Sequence, residues 1–138
     1  MKNFELTPDM LTMGGTFYPK GYMFVMYASL DDASRIAHAI DATPDGAGTV
    51  MLLSSSNVIR DVGKADDTSD VVLQSVGTEG ATVRKYVSLA RQGHCAVMVK
   101  TDSDLQTERL MHFLRTVPFS YGQRYHLLAI EDLESSVL

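Results

Sequence analysis

Two short apolar runs set the frame of the chain. Gly21-Tyr22-Met23-Phe24-Val25-Met26 and Gly93-His94-Cys95-Ala96-Val97-Met98 each open on a glycine and continue through side chains that suit a strand. After each comes a hydroxyl with an aspartate three residues on, Ser29 with Asp32 and Thr101 with Asp104. In that spacing the hydroxyl accepts from early backbone N–H groups, and the carboxylate lies in the first helical turn, where the dipole favours it. Apolar stripes at helical spacing follow: Ala33, Ile36, Ala37 and Ile40 in one half, Thr107, Leu110, Met111 and Leu114 in the other. Val50-Met51-Leu52-Leu53 and Tyr125-His126-Leu127-Leu128 predict a second strand in each half. Val58 with Val62, and Leu133 with Val137, predict a short helical stretch after it. The chain therefore reads as a duplicated strand-helix-strand unit, about 21–62 and 93–137, joined by a polar connector at about 63–80.

Between the halves, Ala81 to Gln92 predicts one more helix, with Val83, Tyr86, Val87 and Ala90 on its stripe and Gly93 as its C-terminal stop. Val71, Val72, Leu73 and Val76 suggest a further short element. Two strand-helix-strand units in one small domain point to an α+β fold: a ferredoxin-like sandwich, with a four-stranded antiparallel sheet and helices on one face.

Alternation along the strands then raises a question of cover. Met23, Val25 and Tyr27 share one face while Phe24, Met26 and Ala28 share the other, and both sets are apolar. The same holds for Cys95, Val97 and Val99 against Ala96 and Met98, and for Tyr125, Leu127 and Ala129 against Leu128 and Ile130. A sheet with helices on one side normally turns polar residues to water on the other. The second face must be covered by the extra helices of this chain or by another copy. A homodimer, or a higher oligomer built from dimers, is expected, with Phe24, Met26, Met98 and Leu128 at its interface.

Composition narrows the function classes. At 138 residues and 15.2 kDa the chain has the size of one domain, 1–138, with one core. With 45% hydrophobic and 21% charged residues and a mean hydropathy of -0.02, it resembles neither a disordered nor a membrane-spanning protein. The net charge of -5, with no basic run longer than Arg84-Lys85, argues against nucleic acid as a partner. A single cysteine excludes an internal disulfide and a Cys-x-x-Cys metal site. No stretch approaches the roughly 18 consecutive apolar residues of a membrane helix. The first fifteen residues are interrupted by Asn3, Glu5, Thr7, Pro8 and Asp9, unlike a signal peptide. A cytoplasmic protein with no membrane partner is therefore expected.

Candidate chemistry is sparse. Tyr121, Arg124 and His126 form the richest polar-aromatic cluster, and a small anionic ligand would meet Arg124 and His126 if they face a cleft. His94 and Cys95 are adjacent, but neighbours on a strand point to opposite faces, and Cys95 falls in register with Val97 and Val99 as a buried small hydrophobe. His38 and His112 have no second ligand at helical spacing, so no metal site is expected. Met13-Gly14-Gly15-Thr16 and Gly77-Thr78-Glu79-Gly80 lack the pattern of a phosphate loop and read as turns. Ser54-Ser55-Ser56 ends a strand and caps the short helix after it. No cofactor pattern and no Ser-His-Asp arrangement emerges.

Val83-Arg84-Lys85-Tyr86, the helix end Ala90-Arg91-Gln92-Gly93, the strand through Val97 to Val99 and the acidic helix after Thr101 follow one another in a recognisable order. Together, over about Gly77 to Leu114 and more faintly over Gly21 to Ile40, they resemble the bacterial general-stress (heat-induced stress) protein domain. The resemblance implies a small cytoplasmic α+β domain linked to stress, with no catalytic residues to carry over.

The leading expectation is a non-enzymatic cytoplasmic domain that acts through self-association, with a small ligand in a cleft at the sheet edge or dimer seam. The alternative is a small-molecule enzyme of the dimeric α+β kind that uses Tyr121, Arg124 and His126, which requires these three to converge on one pocket. An RNA-binding sheet with Phe24 as a stacking platform is disfavoured by the acidic balance.

Overall fold

The structure, a computed structural model, describes residues 1–63 and 78–136. It is an α+β fold in which four helices pack on a six-stranded mixed sheet. In chain order these are β1 (Lys2–Asn3), β2 (Tyr22–Tyr27), α1 (Leu30–Asp41), β3 (Val50–Leu53), α2 (Ser55–Asn57), α3 (Thr78–Arg91), β4 (Cys95–Lys100), α4 (Asp104–Leu114), β5 (Tyr121–Tyr125) and β6 (Ile130–Asp132). A π turn, Val58–Val62, continues α2. The order across the sheet is β1-β3-β4-β2-β5-β6. All neighbours are antiparallel except β1 with β3.

The sheet is thus wider than the four antiparallel strands expected. The added strands lie at its edges: β1 runs parallel to β3, and β6 forms just before the short helical stretch expected from Leu133, where residues 133–136 are not helical. β2 is central, between β4 and β5, and Met23 to Tyr27 are all fully buried.

Alternation carries each strand's side chains into two separate cores. On one face Met23, Val25, Tyr27, Val50, Cys95, Val97 and Val99 pack under α1 and α4 through Ile36, Ile40, Leu110 and Leu114. On the other, Phe24, Met26, Met51, Leu53, Ala96 and Met98 pack under Val58, Val62 and α3, which contributes Val83, Tyr86, Leu89 and Ala90. One sheet therefore separates two apolar layers where a single core was expected. The second face is covered by the chain's own helix, the other of the two covers its apolar character required. Phe24, Met26 and Met98, placed at a dimer interface by the sequence, are completely buried inside this chain and offer nothing to a second copy.

Helix limits follow local chemistry. Ser29 caps α1 by accepting from the Asp32 N–H at 3.2 Å, and Ser54 forms a reciprocal capping box with Asn57. α4 is capped by Ser103, which accepts from Gln106 N–H at 3.1 Å, and not by Thr101. Thr101 is still tied to the sheet, its N–H donating to the Gly21 carbonyl at 2.8 Å. α3 begins three residues before the predicted Ala81 and stops at Gly93, whose φ of 96° suits only glycine. The element suggested at Val71 to Val76, most of the connector and Val137 lie outside the described residues.

Strand β5 ends at Tyr125, so residues 126–129 form a turn where the sequence predicted strand. The His126 N–H donates to the Ala129 carbonyl at 2.8 Å, leaving Leu127 and Leu128 at the hairpin tip. Beside it, Leu11 and Phe17 bridge a tight loop closed by Thr12 N–H to Thr16 carbonyl at 2.8 Å, with Gly15 at φ 87°. That loop buries Phe17 completely and leaves Met13 fully exposed.

Candidate functional site

Arg124 and His126 do meet. Arg124 leaves β5 on the α4 side, directly across the ladder from Glu131 of β6. Its Nη1 donates to Asp104 Oδ1 at 3.0 Å and lies 4.0 Å from Glu131 Oε1, while His126 Nε2 is 2.8 Å from the same Glu131 oxygen. One carboxylate thus links the two predicted residues, and Asp104 ties them to the first turn of α4. The Arg124 side chain is only 15% exposed, whereas Asp104 is 92% exposed. Gly122, two residues earlier on the same side, leaves room for Phe119 and Leu133 to pack against the strand. A Cβ there would stand 3.0 Å from Phe119 Cε1 and 3.3 Å from Leu133 Cβ.

The cluster borders an open cleft of about 710 Å³ between α4 and the β5–β6 hairpin. That volume lies within the range of small-molecule sites. Its lining carries five carboxylates, Asp104, Glu108, Glu131, Asp132 and Glu134, against two guanidinium groups, Arg115 and Arg124, with His112 and His126. Arg124 is already paired, and Arg115 Nε donates to the Glu134 carbonyl at 2.9 Å. The carboxylates outnumber the cationic side chains of the lining, which disfavours the small anionic ligand expected for this position. No group of three or more His, Cys, Asp or Glu residues able to hold a metal ion occurs among the described residues.

Tyr121 does not join Arg124 and His126. As the first residue of β5 it projects to the α3 face, where its ring lies 5.6 Å from that of Tyr86 and 5.8 Å from Lys85 Nζ. Burial raises its hydroxyl pKa above the ordinary tyrosine value, with a hydrogen bond to Thr82 opposing the shift. The three residues named for a shared pocket are therefore split across the sheet by its two-residue alternation.

On that other face a tyrosine pair is the deepest polar feature. The Tyr86 and Tyr125 hydroxyls are 2.7 Å apart and buried, and desolvation raises the pKa of both. Tyr18 stacks edgewise on Tyr125 at 4.9 Å and donates its hydroxyl to the His126 carbonyl at 2.8 Å, fastening the loop before β2 to the hairpin.

A serine-histidine contact absent from the sequence reading also forms. His94 Nδ1 lies 2.7 Å from Ser120 Oγ, and Ser120 Oγ donates to the Met26 carbonyl at 3.0 Å. A hydroxyl has one proton, so Ser120 accepts from His94 Nδ1–H and is not activated by it. The pair ties the starts of β4 and β5 to the end of β2. Cys95, beside His94, points into the α1–α4 core, where burial pushes its thiol pKa up and keeps it in the unreactive form.

The polar groups of these clusters bond to one another, and beside them lies an exposed apolar pair. Leu127 and Leu128 are 73% and 92% exposed at the tip of the hairpin. They flank a shallow groove with Leu11, Tyr18, Lys20 and Glu79. Neither leucine has the conformational preference for a tight turn that glycine, asparagine or aspartate has. Leu127 was expected within a strand; only its place beside an undetected turn brings it to the surface.

No family model, curated protein or solved structure matches the chain. No helix among the described residues is long and apolar enough to cross a membrane.

Proposed function

We propose that this chain is a non-enzymatic module that acts by self-association through the hairpin tip, as a cytoplasmic protein of the stress-linked kind its sequence resembles. The observation that carries the reading is the pair Leu127 and Leu128, adjacent, exposed and set beside a groove with its own apolar lining. Support comes also from the candidate reactive groups: His94, Ser120, Arg124 and His126 each hold a hydrogen bond or ion pair to a partner within the chain.

In this reading the middle of the sheet, β3-β4-β2-β5, is a ferredoxin-like core made by two interleaved strand-helix-strand units, β2-α1-β3 and β4-α4-β5. The strand order and the antiparallel pairing of these four support it. α3 and the edge strands are additions that close the second face and leave assembly to the hairpin tip.

Size-exclusion chromatography with light scattering on the full chain tests the proposal. The mass is expected to exceed 15.2 kDa at high concentration and to fall to that value on dilution. A mass of 15.2 kDa throughout sinks the reading.

A further inference from the structure

We infer that the contact between copies is a two-fold one in which Lys20 of each copy faces Glu79 of the other across the leucines of the hairpin tip. The inference rests on the self-association reading and specifies its surface. The groove beside the tip holds Leu11, Tyr18, Leu127 and Leu128 together with one cation, Lys20, and one anion, Glu79. Neither charge has an ion-pair partner within 4 Å among the described residues.

A two-fold interface must be complementary to itself, because the same patch forms both sides. Apolar surface meets that condition with any apolar surface. Charge meets it only when the patch carries both signs, placed so that each finds its opposite on rotation. The groove carries one of each together with apolar side chains. The cleft under α4 fits less well: it is lined mainly by carboxylates, in a chain of net charge -5, and would repel its own copy.

The sheet edges fit less well too. β1 contributes two residues, and β6 three, of which Glu131 and Asp132 are charged, so neither edge offers a long strand for pairing between chains. A strongly basic or acidic partner would find only half of the groove's charge complementary. A second copy matches both.

Charge reversal on the full chain, read by sedimentation velocity, tests the arrangement. Lys20→Glu alone and Glu79→Lys alone each place like charges across both contacts and are expected to weaken association about ten-fold or more. An equimolar mixture of the two variants is expected to recover it, because the mixed dimer restores opposite charges at both contacts. The double reversal in one chain is expected to recover it as well. Glu79→Lys also puts a cation into the first turn of α3, and Lys20→Glu replaces a cation that attracts the Asp9 carboxylate, so circular dichroism accompanies each sample.

If wild type associates and both single reversals associate equally well, the contact lies elsewhere and this inference is overturned while the self-association reading stands. Loss in the single variants without recovery in the mixture overturns the two-fold arrangement. A wild-type chain that is monomeric at every concentration removes the underlying reading itself.

Discussion

Tyr86 and Tyr125 show how a buried polar pair holds the α3 face. Each hydroxyl alone would be a desolvated group without a partner, and at 2.7 Å one donates to the other. Removing one hydroxyl strands the other. Tyr86→Phe is therefore expected to cost about 1–3 kcal/mol, and Tyr86→Phe with Tyr125→Phe less than the sum of the single changes. A double-mutant cycle by urea unfolding measures this; strictly additive costs would mean the hydroxyls do not depend on each other. The pH response follows from the same burial. Desolvation raises the pKa of Tyr86, Tyr125 and Tyr27, whose hydroxyl also donates to the Leu114 carbonyl at 2.6 Å. Because the folded pKa lies above the unfolded value of about 10, the neutral tyrosines stabilise the fold fully below that pH. The contribution is lost as pH rises beyond it, since the unfolded chain gives up protons that the folded one retains. In an alkaline titration, tyrosinate absorbance from these residues is expected to appear together with loss of circular dichroism. Ionisation of every tyrosine with the fold intact would oppose this account.

At the scale of elements, legibility tracked how local the determining physics is. β2, α1, β3 and β4 were readable because alternation or helical stripes continue through each, with Ser29 and Gly93 marking their ends. The hairpin was not. His126-Leu127-Leu128-Ala129 contains no glycine, proline, asparagine or aspartate, so its turn looks like more strand, and Glu131 could not be placed opposite Arg124. Arg124 and His126 were recognisable as neighbours, but the carboxylate that joins them depends on that hidden turn. Tyr121 lies near Arg124 in sequence but on the opposite face, because strand alternation separates residues three apart. Thr101, the cap expected for α4, donates its N–H to Gly21 at the sheet, and Ser103 caps the helix instead. Ser103→Ala is expected to lower stability by about 1 kcal/mol. Thermal unfolding checks it, and an unchanged midpoint would remove Ser103 from the capping role.

For the whole molecule, two faces of one sheet are closed by helices of the same chain, so self-association is not needed to complete the core. That shifts its expected basis from the sheet face to the hairpin tip. Of the residues first assigned to an interface, Leu128 remains accessible while Phe24, Met26 and Met98 do not. An interface on exposed tips rather than on a shared core would be reversible and separable from folding. Sedimentation velocity of wild type beside the Leu127→Ser, Leu128→Ser double variant, at matched concentrations, tests this most directly. Wild type is expected near twice the 15.2 kDa chain mass and the variant at 15.2 kDa with unchanged circular dichroism. Wild type at 15.2 kDa at every concentration, or a variant that assembles as wild type does, would contradict it.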